Sequence, residues 1–194
     1  MSLFNLDQFK AEVLGYGLAR PNRFELELII PPALQFYGRW SRTLSLFCEE
    51  TNFPPVIVNS KAYKIFGPSY QRPVSADYGG EGLSITFHVD REMNLKFLMD
   101  DWINLVVEKD TFLLNYQGEY ITNMRLHQLN DEDNLVYTCE FYEVFPRSIN
   151  VMPLNNNTTN QTHRMTVMFA YRYWKGLIPE TLGYIRSAPE RTSI

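Results

Sequence analysis

Few side chains in this sequence have the residue type and spacing that catalysis or metal binding requires. His88, His127 and His163 lie far apart in the chain, and none has a partner at the spacing of a metal-ligand pair. Cys48 and Cys139 fall within strand-like alternating runs, which favours small buried apolar residues over a disulfide. The sequence also lacks a phosphate-binding loop and a nucleophile elbow. We therefore predict no enzyme active site, no metal and no cofactor.

Carboxylates at alternating positions suggest a different chemistry, which is the repulsion of other anions. Glu25 and Glu27 alternate with leucines, so both project from the same face of a predicted strand. Glu140 projects from the polar face of a second predicted strand. An ordinary solvated sheet face would explain this pattern, and so would a face that lines a wet, acidic channel.

The overall composition is that of a globular chain with a mild excess of acid. The 194 residues include 22 Asp and Glu and 18 Lys and Arg, which gives a net charge of −4. Without a basic stripe, tight non-specific binding of nucleic acid is not expected. The first residues lack the pattern of a signal peptide, and no apolar run approaches the roughly 20 residues of a membrane helix. We therefore expect synthesis in a cytoplasm and no membrane contact.

Apolar periodicity divides the chain into many strands and two helical segments. Leu6 and Phe9 share the apolar face of a short helix or arm predicted over Leu3–Leu14. A second helix is expected after Asp90, its predicted N-cap, with an apolar stripe over 95–106. Eight strand-like runs lie before and after this second helix: 24–30, 41–50, 56–66, 83–89, 111–116, 120–129, 135–145 and 164–174.

Polar or Gly- and Pro-rich stretches interrupt these strands. Gly67–Gly82 contains Tyr70 and Tyr78 and is predicted to be a long loop or an ordered hairpin. The Asn-rich run 155–160 is predicted to be a loop.

The order of the elements predicts the fold class. Four strands, one helix and four strands are typical of a mainly β fold, in which two antiparallel sheets pack as a sandwich or barrel beside one flanking α-helix. The short N-terminal helix or arm would be an addition to this body. We predict three regions: an arm over 1–17, a β domain over 18–174 and a C-terminal extension over 175–194.

Three stretches of the sequence carry a resemblance to one protein family. They are Ala-Arg-Pro-Asn-Arg-Phe-Glu-Leu at 19–26, Phe-Tyr-Glu-Val-Phe-Pro-Arg-Ser-Ile at 141–149 and the strand Met-Thr-Val-Met-Phe-Ala-Tyr-Arg-Tyr-Trp at 165–174. In this order, with a helix in the middle of the chain, they resemble the tail tube proteins of contractile-tailed bacteriophages. The resemblance spans about Leu18 to Trp174.

This resemblance implies a structural protein of the virion tail, made in the host cytoplasm. Six subunits would close into a ring with one continuous inner barrel, and rings would stack into a tube that also resembles the type VI secretion tube. Such a tube contacts sheath and baseplate proteins and conducts the viral DNA during ejection. Because a DNA-conducting lumen should repel phosphate, the lumen-facing candidates are Glu25, Glu27 and Glu140. The ring-stacking candidates lie in the arm and the long loop: Leu6, Phe9, Tyr70 and Tyr78.

Two alternative functions remain open at the level of the sequence. The same fold resembles baseplate rings that start the tube or join it to the central hub, and the C-terminal extension is compatible with that role. From another class, a β-sandwich rich in Tyr and Trp could be a carbohydrate-binding module. The regular alternation of the aromatic residues within strands argues against that second alternative.

Overall fold

A computed structural model describes residues 5–78, 82–155, 157 and 161–177 of the chain. Within these ranges the helices are α1 (Leu6–Tyr16), a 3-10 helix (Pro32–Trp40), α2 (Ser41–Phe47), α3 (Asn94–Val106) and α4 (Gln117–Tyr120). The strands are β1 (Phe24–Leu28), β2 (Cys48–Thr51), β3 (Ile57–Tyr63), β4 (Tyr70–Asp77), β5 (Leu83–His88), β6 (Thr122–Leu129), β7 (Leu135–Ile149), β8 (Arg164–Ala170) and β9 (Tyr173–Leu177).

Two antiparallel sheets, joined by the long strand β7, form the body of the fold. Sheet A consists, in spatial order, of β1, β6, residues 135–144 of β7, and β9. Sheet B consists of residues 145–149 of β7, then β8, β5 and β2. Strand β7 changes sheets next to Glu143, whose φ of 56° departs from an extended conformation. This architecture confirms the predicted mainly β fold with two antiparallel sheets.

The core lies between the two sheets and is closed by α3. Alternate residues of the strands are buried, as in Leu83, Ile85 and Phe87 of β5. Helix α3 adds four buried side chains: Leu95, Leu98, Met99 and Trp102. The ring of Trp102 lies 6.0 Å from that of Phe169 in β8, and its indole N–H donates a hydrogen bond to the carbonyl of Tyr120 at 2.8 Å. Helix α3 is thereby fixed to sheet B and to α4.

The segment 41–50 was expected to be a strand, and this prediction is wrong. It forms α2, followed by the short strand β2. Leu44 is fully buried whereas Leu46 is 78% exposed, so the apolar residues do not share one face of a strand. Leu44 and Phe47 are three residues apart, a spacing that also fits a helix. Over only seven residues, the helical and the strand periodicity are therefore hard to distinguish. The preceding 3-10 helix was not predicted at all.

The predicted strand over 111–116 is also absent. Only one isolated bridge, between Val107 and Leu114, forms in this region. Phe112 has a φ of 56°, which is incompatible with extended backbone. Leu113 and Leu114 are 65% and 73% exposed, so the apolar character of this stretch does not indicate burial.

Several predicted boundaries move. Helix α3 begins at Asn94, and Asp90 is not its N-cap residue, although the carboxylate of Asp90 accepts a hydrogen bond from the backbone N–H of Leu95 at 3.1 Å. Strand β7 continues through Pro146 to its end at Ile149. The single strand predicted over 164–174 divides into β8 and β9, which belong to different sheets.

The stretch Gly67–Gly82 contributes the second strand of a hairpin, which was one of its two predicted structures. Strand β4 pairs with β3 from Ile57 opposite Asp77 to Tyr63 opposite Tyr70. Four parts of the sequence predictions lie outside the described residues: the start of the predicted arm at Leu3, the glycine-containing residues 79–81, most of the Asn-rich run and residues 178–194.

Candidate assembly surfaces

The outward-facing residues of sheet A form a charged surface, which we call the polar face. Because side chains alternate along each strand, Glu25 and Glu27 of β1 and Glu140 of β7 all belong to it. The register of the four strands places oppositely charged residues side by side in one row, which we call the charge ladder. Its members are Glu27, Arg125, Glu140 and Lys175, from β1, β6, β7 and β9.

Arg125 connects the two acids of the charge ladder. Its Nε lies 2.9 Å from Oε1 of Glu140, and its Nη1 lies 3.3 Å from Oε2 of Glu27. The hydroxyl of Tyr142 also donates to Glu140. The hydrogen bonds from Tyr142 and Arg125 lower the pKa of Glu140. Glu140 is only 7% exposed, so its charge is balanced within the subunit, whereas Glu25 and Glu27 are exposed.

Lys175 lies at the end of the charge ladder, on the outermost strand. Its Nζ lies 5.5 Å from the centre of the Tyr142 ring and 5.7 Å from that of Tyr173, and these two rings stack at 4.7 Å. Cation–π contacts of this kind hold the ammonium group against the sheet while leaving it in water. The polar face therefore carries cations between its acids and is less acidic than its glutamates alone suggest.

His127 also lies on the polar face, as its position in the predicted strand implies. Its Nδ1 lies 2.8 Å from the hydroxyl of Thr138, and its Nε2 lies 3.7 Å from Oε2 of Glu27. In the register of β1 and β6 it stands directly opposite Glu25. The second row, next to the charge ladder, thus places Glu25, His127 and Thr138 side by side.

Sheet A has two outer strands, β1 and β9, each paired on one side in the described part of the chain. Backbone hydrogen bonds from Leu129 to Arg23 and from Ile29 to Asn123 show that the odd-numbered residues of β1 direct their backbone groups to β6. The even-numbered residues therefore direct theirs away from β6. On that side α2 covers part of the edge, because Leu26 and Leu28 are fully buried and the hydroxyl of Ser41 donates to the carbonyl of Leu28 at 2.6 Å. An open cleft of about 810 Å³ separates β1 from the region of β2.

The hairpin of β3 and β4 extends from the body with both of its faces exposed. Tyr70, a predicted stacking residue, lies 6.4 Å from the ring of Tyr63, and the guanidinium of Arg72 lies 5.2 Å from the Tyr70 ring. At the tip, Ile65 and Phe66 are 71% and 94% exposed. A two-stranded hairpin of this kind is only marginally stable alone in water.

The base of the hairpin contacts sheet A. Tyr78, the second predicted stacking residue of this region, packs its ring edge-on against Trp174 at 6.1 Å. Before β3, the ring of Phe53 packs against Tyr137 at 5.5 Å. The hairpin is therefore held at its base while its tip is presented to solvent.

Helix α1 presents the other two predicted stacking residues. The side chain of Asn5 accepts a hydrogen bond from the N–H of Asp7 at the start of the helix, and Gly17 follows its end with a φ of 71°. Leu6 and Phe9 are 56% and 53% exposed, and neither belongs to the buried core.

The described ranges contain no cluster of residues of the kind that holds a metal ion. No group of three or more His, Cys, Asp or Glu residues within them could hold a metal ion. Burial raises the pKa of the Cys48 and Cys139 thiols to about 12, so both are protonated at neutral pH. None of the described helices has the length and apolar character needed to cross a membrane.

The site residues predicted from the sequence did not include Arg125, Lys175 or the hairpin tip. The alternation of β6 places Arg125 and His127 on the same face, and this signal was available. Lys175 was assigned to the extension because Trp174 was taken as the end of the last strand. The tip residues Ile65 and Phe66 were included in a predicted strand.

A family model for the phage tail tube protein matches residues 19–176. The chain belongs to this family. The match begins before β1 and ends within β9, so it includes both outer strands of sheet A. No curated protein matches this tail tube protein.

Solved structures of contractile injection systems contain chains with the same fold. A chain of the PVC sheath–tube complex in the extended state has a TM-score of 0.59 and 14% identity, over 87% of this chain and 97% of that one. A chain of the tube-terminating cap of the anti-feeding prophage has a TM-score of 0.57 and 12% identity, over 83% and 91%. A chain of the anti-feeding prophage baseplate has a TM-score of 0.54 and 13% identity, over 84% and 97%.

Proposed function

We propose that this tail tube protein is a structural, non-catalytic subunit of hexameric rings, which stack to form the inner tube of a contractile phage tail. The observation that carries the proposal is sheet A, with its charged polar face and its exposed outer strand β9, which pairs with β7 on one side. An open sheet edge is a site of uncontrolled association unless it is covered. A ring of identical subunits would cover this edge in every copy, because each subunit meets its neighbours head to tail.

The polar face of sheet A lines the lumen in this proposal. Its opposite face packs in the core, so the polar face is the surface that a closed barrel of sheets would turn toward water. Exposed Glu25 and Glu27 would repel phosphate, while Arg125 and Lys175 stand next to acids. Viral DNA would then pass through without binding strongly.

Ring stacking uses the β3–β4 hairpin and α1. Both expose large apolar side chains that lie outside the buried core, including Phe66, Leu6 and Phe9. Exposed apolar surface of this kind is typical of a protein interface. The sheath and the baseplate would be further partners, and the assembled protein would be located in the virion tail after synthesis in the host cytoplasm.

A ring in the baseplate is the second candidate. The solved structures with this fold include chains from a sheath–tube complex, a cap and a baseplate, and their TM-scores differ little. The fold is therefore compatible with a ring at any level of the tail, and the copy number distinguishes these locations.

Electron microscopy of the purified full-length chain tests the proposed function. We expect six-fold rings with an open centre, of a mass six times the 22.8 kDa of one subunit, and short stacks at high concentration. Light scattering gives the mass independently. Monomers at every concentration, with no rings in the images, would contradict the proposal.

A further inference from the structure

The cleft beside β1 lies between the two strands that end the continuous run of pairing through sheets A and B. Strands pair in the order β1, β6, β7, β8, β5 and β2, and in the described part of the chain β2 does not pair with β1 to close a barrel. Helix α2 packs against β1 beside this gap. The remaining opening of about 810 Å³ has the volume of pockets that hold a small ligand or a few side chains.

The lining of this opening, which we call the acidic cleft, combines carboxylates with apolar side chains. Its acids are Glu25 of β1 and Glu49 and Glu50 of β2, and none of its lining residues is a Lys, Arg or His. Leu46 of α2 adds a large apolar side chain that is 78% exposed. Arg164, from outside the lining, pairs with Glu49 at 2.8 Å. The acidic cleft therefore offers one apolar contact and, in Glu25 and Glu50, two exposed carboxylates.

Several described segments expose large apolar side chains, but they differ in charge. Helix α1 and the segment 107–116 each contain two acids and one Lys, and the segment 151–154 is uncharged. The hairpin segment 56–78 contains three cations and one acid. Of these segments, the hairpin is the one whose charge is opposite to that of the acidic cleft, so attraction between opposite charges favours it.

The tip of the hairpin combines the two kinds of side chain that the acidic cleft complements. Ile65 and Phe66 are 71% and 94% exposed, and Lys64 directly precedes them. All residues in the segment 56–78 are exposed, so the tip is not buried in the cleft of its own subunit. A contact between tip and cleft must therefore join two copies of the chain.

The acidic cleft and the base of the hairpin lie toward different ends of the strands in sheet A. The cleft is lined by Phe24, the first residue of β1. The hairpin base packs through Tyr78 against Trp174, which the register of β9, β7, β6 and β1 places in the row of Leu28, the last residue of β1. A subunit with these two features at different ends can bind a copy above it and a copy below it in the same way.

We propose that the acidic cleft of one subunit binds the tip of the β3–β4 hairpin of a second copy in the adjacent ring. In this contact Phe66 packs against Leu46, and Lys64 lies next to the carboxylate of Glu50. The inference rests on the proposed function, in which the hairpin contacts other rings, and it names the surface that the hairpin binds. Because tip and cleft are different surfaces, the contact can repeat from ring to ring.

Paired cysteines test the contact in stacked rings. Leu46→Cys with Phe66→Cys places one thiol in the cleft and one at the tip, and a disulfide between them requires Cα atoms within about 7 Å. We expect covalent oligomers on a non-reducing gel after mild oxidation. The matched control, Phe97→Cys with Phe66→Cys, has its second thiol on α3 and should give about tenfold less product. Phe66→Cys alone measures any reaction with the native Cys48 and Cys139.

Charge reversal tests the ionic part of the contact. Lys64→Glu and Glu50→Lys should each raise the concentration at which rings stack by about fivefold, because like charges then face each other. The double reversal should return this concentration toward the wild-type value, and light scattering measures it. Both side chains are exposed, so the unfolding temperature should not change. Failure of the double reversal to restore stacking would overturn the pairing of Lys64 with Glu50.

Imaging of the same samples distinguishes the failure of this inference from the failure of the proposed function. Rings that stack with no more cross-linking in the test pair than in the control pair would overturn the inference and leave the proposed function intact. A chain that forms no rings at all would reject the proposed function and this inference with it.

Discussion

Glu140 and Glu25 lie on the same face of sheet A, but their carboxylates have different surroundings. Glu140 accepts hydrogen bonds from Arg125 and Tyr142 and is almost fully covered. Glu25 is exposed to solvent. A charged hydrogen bond stabilises the folded state only if both partners keep their charge, so the contribution of Glu140 to stability should depend on pH.

Replacing Glu140 by Gln should lower the free energy of unfolding by about 1 kcal/mol at pH 7, a modest value because Arg125 remains partly in water. The pKa of Glu140 is lowered in the folded state from its usual 4.5. Its contribution is therefore complete above pH 4.5 and is lost as the pH falls through the folded pKa. Urea unfolding of wild type and variant should give different free energies at pH 7 that converge in acid.

The matched control for this measurement is Glu25→Gln, which removes an acid from the same face without removing an ion pair. It should leave the unfolding free energy nearly unchanged at both pH values. An effect of Glu140→Gln that persists in acid would instead indicate lost packing.

The sequence was sufficient to predict which glutamates belong to a polar sheet face, but it was not sufficient to predict the balance of charges on that face. Alternation is a local property, so Glu25, Glu27 and Glu140 were assigned to polar faces without knowledge of the fold. The charge ladder depends on which strands are neighbours and in which register. Arg125 and Glu27 are separated by 98 residues, and no local pattern places them together.

Among the elements, the β3–β4 hairpin has little support from the body of its own subunit. Every residue of both strands is exposed, and the ring of Tyr78 at its base packs against Trp174. The segment 56–78 contains a single acid, Asp77, and three cations, Lys61, Lys64 and Arg72. The whole chain, in contrast, has a net charge of −4. Both its apolar tip and its basic character favour binding to a second copy of this acidic chain.

Replacing Ile65 and Phe66 by Ser should prevent stacking without affecting the fold. The tip side chains are mostly in water, so the unfolding temperature should change by no more than about 2 °C. Rings should still form, but electron microscopy should show few stacks. Circular dichroism measures the unfolding temperature of the same sample.

A control for surface apolarity is Phe97→Ser, since Phe97 is 59% exposed on α3, which is not one of the proposed stacking elements. It should leave the length of the stacks unchanged. If the tip variant forms stacks of normal length, the hairpin does not carry the ring-to-ring contact.

The elements that sequence patterns missed share a physical cause. Helix α2 has only seven residues, and its position depends on the hydroxyl of Ser41, which donates to the carbonyl of Leu28 at 2.6 Å. A contact between distant parts of the chain thus decides a conformation that local periodicity leaves open. Long elements such as α3 and β7 were recognised because their patterns repeat over several turns or pairs.

At the scale of the whole molecule, the fold separates its surfaces by direction. Sheet A presents the polar face, whereas the β3–β4 hairpin and α1 expose apolar side chains. In the proposed assembly, sheet A would face the lumen of a ring and the hairpin and α1 would contact other rings, so the subunit would assemble with identical copies in two independent directions. The number of copies in a particle is then set by how far stacking proceeds.

The number of copies in purified particles decides between the main tube and a baseplate ring. Quantitative mass spectrometry of peptides from this chain, measured against the sheath subunit in the same particles, gives the ratio directly. We expect near-equal copies, because the stacking surfaces proposed for the hairpin and α1 could continue from ring to ring. A ratio that corresponds to one or two rings would assign the protein to the baseplate, where a further component must cover the hairpin or α1. Absence from the particles would contradict a role in the tail altogether.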